Sequence, residues 1–118
     1  MISRSASPLL LLLLLLLPLI AAARKGSMLG GWSKIPDLKD PHVEEIGKFA
    51  VAEYNKQSKG VAIEFKSVVS GETQVVAGTN YRLLIDAKRG ESMSKYEAIV
   101  WEKPWENFKK LTSFKPVA

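Results

Sequence analysis

The stretch DPHVEEIGKFAVAEYNKQSKGVAIEFK, Asp40 to Lys66, changes its hydrophobic period in the middle, and that change decides the fold. Up to about Gln57 the residues Val43, Ile46, Gly47, Ala50 and Tyr54 recur at i, i+3, i+4, i+7 and i+11, the apolar face of one long α-helix. Asp40 suits the N-cap because its carboxylate accepts a free amide, and Pro41 fits the first helical position. Glu44 and Glu45 complement the positive end of the helix dipole. Gly60 is read as the stop. Beyond it the period falls to two, with Val61, Ile63 and Phe65 alternating with Ala62, Glu64 and Lys66.

The alternation returns three times. Tyr81, Leu83 and Ile85 alternate with Arg82, Leu84 and Asp86; Tyr96, Ala98 and Val100 alternate with Lys95, Glu97, Ile99 and Trp101; a last run extends from Phe108 to Lys115. Ser70-Gly71 reads as a turn signal. Hairpin joints follow at Gln74–Gly78, at Arg89-Gly90-Glu91-Ser92 and at Lys103-Pro104-Trp105-Glu106. These runs predict an α+β domain over residues 40–118, an antiparallel meander with one face on the helix. Nothing else in the chain can cover the apolar side of such a sheet.

Residues 1–23 read as a secretory signal. Arg4 precedes an apolar stretch from Leu9 to Ile20, interrupted by Pro18, and Ala21-Ala22-Ala23 forms a cleavage site. The apolar run is too short to serve as a membrane anchor, since crossing a bilayer takes roughly 20 residues. The expectation is secretion, to the extracellular space or the vacuole, with no membrane association after cleavage. Residues 24–39, with Gly26, Gly30, Gly31 and Pro36 and no period, read as an extended or mobile N-terminal arm.

Composition removes several chemistries. The 118 residues contain no cysteine, which excludes a disulfide scaffold, a thiol nucleophile and thiolate metal sites. The net charge of +5, lowered by one when Arg4 leaves with the signal, is spread thinly. Lys88-Arg89 and Lys109-Lys110 read as solvated charges rather than as a nucleic-acid footprint. His42, the single histidine, reads as a solvated residue of the first helical turn. Glu44 and Glu45 diverge by about 100° around the helix and cannot converge on a substrate. No nucleophile motif or metal-ligand spacing is visible, so the sequence points away from an enzyme and calls for no cofactor.

Val75 and Val76 are the residues that need explaining. Burial of a valine is worth about 1.5–3 kcal/mol, so two of them at a hairpin tip suggest a surface waiting for a partner; alternatively they are strand residues and the tip lies elsewhere. Trp105 is open to two readings as well, a rigid aromatic anchor for a partner or a ring folded back over the sheet edge. Phe49, Ala50 and Val51 read as core, and Trp32, Tyr81 and Trp101 as core or edge packing.

Taken in order, these segments resemble the plant cystatins. The resemblance rests on Ile46-Gly47-Lys48-Phe49-Ala50-Val51-Ala52-Glu53-Tyr54-Asn55 as the helix signature, Gln74-Val75-Val76-Ala77-Gly78 as the central loop, Pro104-Trp105 as the second hairpin and Gly30-Gly31 as the arm glycine, over nearly all of residues 24–118. It implies a four- to five-stranded antiparallel sheet wrapped around one long helix. It also implies a reversible inhibitor that occludes the cleft of papain-like cysteine proteases. By this resemblance Leu29 fills an apolar subsite beside Met28, Gly30 or Gly31 turns the arm away from the catalytic thiol, and Gln74, Val75, Val76, Ala77, Gly78, Pro104 and Trp105 supply the two loops. It further implies a monomer with a minor dimer formed by exchange of strands at the central loop. The competing reading is a non-inhibitory binding or storage protein on the same scaffold.

Overall fold

In the computed structural model, residues 31–117 are described. Their order is β1 (Trp32–Lys34), α1 (Pro41–Gln57), β2 (Ile63–Val76), β3 (Gly78–Arg89), β4 (Ser92–Lys103), a single 3-10 turn (Pro104–Glu106) and β5 (Phe108–Val117). The five strands form one sheet in the order β1-β2-β3-β4-β5, every neighbour antiparallel, and α1 lies on one face.

The helix starts as its sequence dictates. The Asp40 side chain accepts from the His42 amide at 2.9 Å, and Pro41 occupies the first turn, where its missing N–H leaves no bond unmade. The helix ends earlier than Gly60. Ser58 adopts an extended conformation, and its N–H closes the last turn on the Tyr54 carbonyl at 2.8 Å. The Asn55 side chain then pairs with both backbone groups of Ile63, donating to its carbonyl at 2.9 Å and accepting from its amide at 3.0 Å. That double contact ties the helix end to the first residue of β2.

Val43, Ile46, Ala50 and Val51 of α1 meet Leu83, Ile85 and Ala87 of β3 and Tyr96, Ala98 and Val100 of β4 in one core. Ile46, Leu83, Ile85 and Val100 are sealed from solvent, each contributing about 1.5–3 kcal/mol by burial. Phe49 and Tyr54 pack against this core, and Tyr54 stacks on Phe114 at 4.4 Å between ring centroids, closing the C-terminal half of the helix against β5.

Two features depart from the sequence reading. The second half of the supposed arm is built into the domain: Trp32–Lys34 pairs with Glu72–Gln74, and Ile35 is buried. Ser70-Gly71 is not a turn but lies inside β2, where Gly71 is buried. A side chain on Gly71 would come within 2.8 Å of both Ile35 Cδ1 and Leu83 Cδ2, so the glycine is there for close approach. The register of β2 against β3 shifts between Phe65 and Ser67 and again between Val68 and Ser70, which spoils the alternation that marks a strand.

Candidate functional site

The antiparallel register gathers three segments at one end of the sheet. Trp32 of β1 is opposite Gln74 of β2, Val76 is opposite Gly78 of β3, Thr79 is opposite Glu102 of β4, and Lys103 is opposite Phe108 of β5. The N-terminal end of β1, the β2–β3 reversal and the Pro104–Glu106 turn therefore share one edge. Gly31, next to Trp32, is at that edge; Leu29 and Gly30 lie outside the described residues.

The first hairpin resolves the choice left open for the valines. Gln74, Val75 and Val76 are the last residues of β2, and Ala77 alone forms the apex before Gly78 opens β3. Both valines are nevertheless exposed, Val75 by 47% and Val76 by 37%. Gly78 has φ +91°, a region closed to most L side chains, and a Cβ there would overlap the Glu102 carbonyl. The hairpin thus folds back tightly against β4. Asn80 donates to the Gln74 side-chain carbonyl at 2.9 Å, and the Trp101 indole N–H donates to the Ala77 carbonyl at 2.7 Å.

The second loop presents Trp105, which is 66% exposed and not folded over the sheet. Pro104 opens the turn, and Asn107 in the left-handed conformation (φ 52°) closes it with its N–H on the Pro104 carbonyl at 3.0 Å. Lys103 braces the base of the loop. Its ammonium is 4.7 Å from the Trp101 ring centroid and 4.6 Å from that of Phe108, and it reaches Glu106 at 3.3 Å. At β1, Arg82 covers the Trp32 ring at 4.2 Å while bonding Glu72 at 2.8 Å.

Beneath the loops is a buried polar contact. Tyr96, Ala98, Val100 and Glu102 form the inward row of β4, so the Glu102 carboxylate is carried into the protein with them and needs a partner. His42 supplies it: Nε2 is 2.7 Å from Glu102 and Nδ1 is 3.1 Å from Glu45. The bond to Glu102 raises the His42 pKa, against the opposing effect of burial. Burial, followed by the Glu102 charge, raises the Tyr81 pKa and keeps its phenol neutral. His42 is therefore not the solvated residue its position suggested. Its partner is too far along the chain for any local pattern to show. Among the described residues, no cluster of three or more His, Asp or Glu is arranged to hold a metal ion.

The sequence profile described as SQAPI, aspartic acid proteinase inhibitor, matches residues 35–117. "Cysteine proteinase inhibitor 5" of Arabidopsis thaliana is 57% identical over 109 residues, covering 92% of this chain and 87% of the relative. "Cysteine proteinase inhibitor 1" of Actinidia chinensis var. chinensis is 50% identical over 117 residues, covering 99% of this chain and 100% of the relative. The chain belongs to the plant cystatin family. The fold agrees: the salivary cystatin of the soft tick Ornithodoros moubata superposes on this cystatin with a TM-score of 0.65 at 28% identity, covering 75% of this chain and 97% of the tick protein. The plant relatives are named as inhibitors, so this cystatin is a member of an inhibitor family and not an enzyme.

Proposed function

We propose that this cystatin inhibits papain-like cysteine proteases reversibly and without a covalent bond, by inserting one edge of its sheet into the active-site cleft. The observation that carries the reading is the shared edge: exposed Val75 and Val76 on one hairpin and exposed Trp105 on the adjacent loop, with Gly31 beside them. These are rigid apolar surfaces on short, hydrogen-bonded loops, which lose little conformational entropy when a partner covers them. Leu29 and Gly30 complete the wedge in this reading. Leu29 fills an apolar subsite and the glycines turn the backbone away from the catalytic thiol, so the inhibitor is held without being cut.

The protein is exported, with cleavage after Ala23, and meets its protease outside the cell or in the vacuole. It acts as a monomer. A minor dimer that exchanges strands through the first hairpin loses the Ala77 apex and is inactive; size-exclusion before and after mild heating tests this, and a second, inhibitory peak counts against it.

Titration against papain is the decisive experiment. The expected result is tight, reversible inhibition that weakens on truncation before Gly30 and on substitution at Gln74, Val76 or Trp105, with little change in thermal midpoint. No inhibition at excess protein overturns the reading in favour of a non-inhibitory binding protein. The name of the matching profile favours a second target class, aspartic proteinases, and a parallel titration against pepsin tests it. Inhibition of pepsin alone overturns the papain reading.

A further inference from the structure

We infer that Trp101 and Lys103 are positioning residues that lock the two loops of the edge to each other, so that both are set before any partner arrives. The inference rests on the inhibitory reading above and deepens it. Neither residue belongs to the exposed apolar tip. Trp101 is half-buried, and the Lys103 side chain is only 19% exposed.

Ala77 is the apex of a reversal in which Val76 faces Gly78 directly, so no ladder partner holds its carbonyl. The Trp101 indole reaches across from β4 and donates to it at 2.7 Å. The same ring is a platform for the other loop. Phe108, the first residue after the second turn, meets it edge-on at 5.3 Å, and the Lys103 ammonium lies against both rings before reaching Glu106 inside that turn. Lys103 also touches the first hairpin from below, since its Cγ would stand 2.8 Å from a Cβ on Gly78. The Trp101 indole and the Lys103 ammonium thus join Ala77, Phe108 and Glu106 into a single unit, with the Lys103 stem lying behind Gly78.

The consequence concerns binding more than folding. A hydrogen bond of this kind shifts an equilibrium by only about 5-fold net wherever it occurs, but here its loss falls on a tip that must be ordered when the cleft closes over it. An unclamped tip would have to be ordered at the moment of binding.

Two variants test this. Trp101→Phe keeps an aromatic ring for Phe108 and Lys103, and replacement of Trp101 by benzothienylalanine keeps the size of the indole with sulfur in place of the N–H. Each is compared with the unmodified protein for papain inhibition, thermal midpoint and amide hydrogen exchange. Both are expected to weaken inhibition about 5-fold to 10-fold and to speed exchange at Val76, Ala77 and Gly78 by a similar factor, with exchange in α1 and in the Gly90 turn unmoved. Lys103→Met, which retains the stem over the rings, should cost about 2-fold. Unchanged inhibition and unchanged tip exchange in the benzothienyl variant overturn the inference, even if Trp101→Phe lowers the midpoint. If the unmodified protein does not inhibit papain, the functional reading fails on its own, and faster exchange confined to the tip still establishes the clamp.

Discussion

Strand β3 ends in a reversal on each side, and the two reversals are built in opposite ways. At one end Val76-Ala77-Gly78 exposes two valines, is bonded to Trp101 and is pressed against the β4 backbone. At the other, Arg89-Gly90-Glu91-Ser92 is exposed and polar, and a Cβ on Gly90 would meet nothing within 4 Å. Both glycines have positive φ, +91° at Gly78 and +61° at Gly90. Gly90 therefore answers only to its backbone angle, whereas Gly78 answers to its angle and to a wall of protein. A turn needed only to reverse the chain can stand free in water; a turn that must present apolar side chains in a fixed pose is held from several sides.

Substitution of the two glycines is the sharpest way to break that comparison. Gly78→Ala adds about 1–3 kcal/mol of backbone strain and a clash with the Glu102 carbonyl. The expected outcome is a fall in papain inhibition of about 100-fold, with a lower midpoint in thermal denaturation. If inhibition survives, the tip is more plastic than its contacts imply. Trp105→Ala comes next. The ring is 66% exposed in the free protein, so its truncation should weaken inhibition by about 2 kcal/mol, roughly 30-fold, while the thermal midpoint stays within a degree or two. A matching loss of stability would mean that the ring packs at home rather than in the cleft. Gly90→Ala places a Cβ in the left-handed region without a clash and should cost about 1 kcal/mol of stability. Inhibition should not change, because Gly90 is at the far end of the sheet.

The contrast also explains what could be read from the chain alone. The helix was legible because its cap, its first-turn Glu44 and its apolar face all lie within Asp40–Gln57, and β3 and β4 because their inward rows alternate without a break as far as Val100. The resemblance carried by Gln74–Gly78 and Pro104-Trp105 pointed to a shared edge, and the register brings those two segments together. The strand β1 was hidden because three residues cannot show a period, and β2 because two register shifts interrupt its alternation and Gly71 imitates a turn. The supports of the site were hidden for another reason. Trp101 and Ala77 are 24 residues apart, and His42 and Glu102 are 60 apart; each side chain looks ordinary until the sheet brings its partner to it. The only local hint was Glu102 itself, a carboxylate in phase with the inward row Tyr96, Ala98 and Val100.

That carboxylate gives the mildest way to separate the two ends of β3. His42 meets Glu45 through Nδ1 and Glu102 through Nε2, and an ionised carboxylate only accepts, so holding both bonds requires a proton on each ring nitrogen. The other groups at this point are the Tyr81 phenol, whose raised pKa keeps it neutral, and Asp40, which binds the His42 backbone. A histidine with a pKa raised by folding contributes stability that is complete below its unfolded value of about 6.5 and is lost as pH rises through the folded value. Because the His42 side chain is 42% exposed, solvent screening keeps the effect below about 1 kcal/mol. The midpoint of thermal denaturation should therefore fall by a few degrees from pH 6 to pH 9, and His42→Gln should flatten that slope. Glu102 is paired with Thr79 and adjoins Lys103, so amide exchange at the Ala77 hairpin should quicken over the same interval while exchange at Gly90 follows only the intrinsic chemistry of the amide. Equal pH sensitivity at both turns would show that His42 acts on the whole fold and not on the edge that carries Ala77 and Trp105.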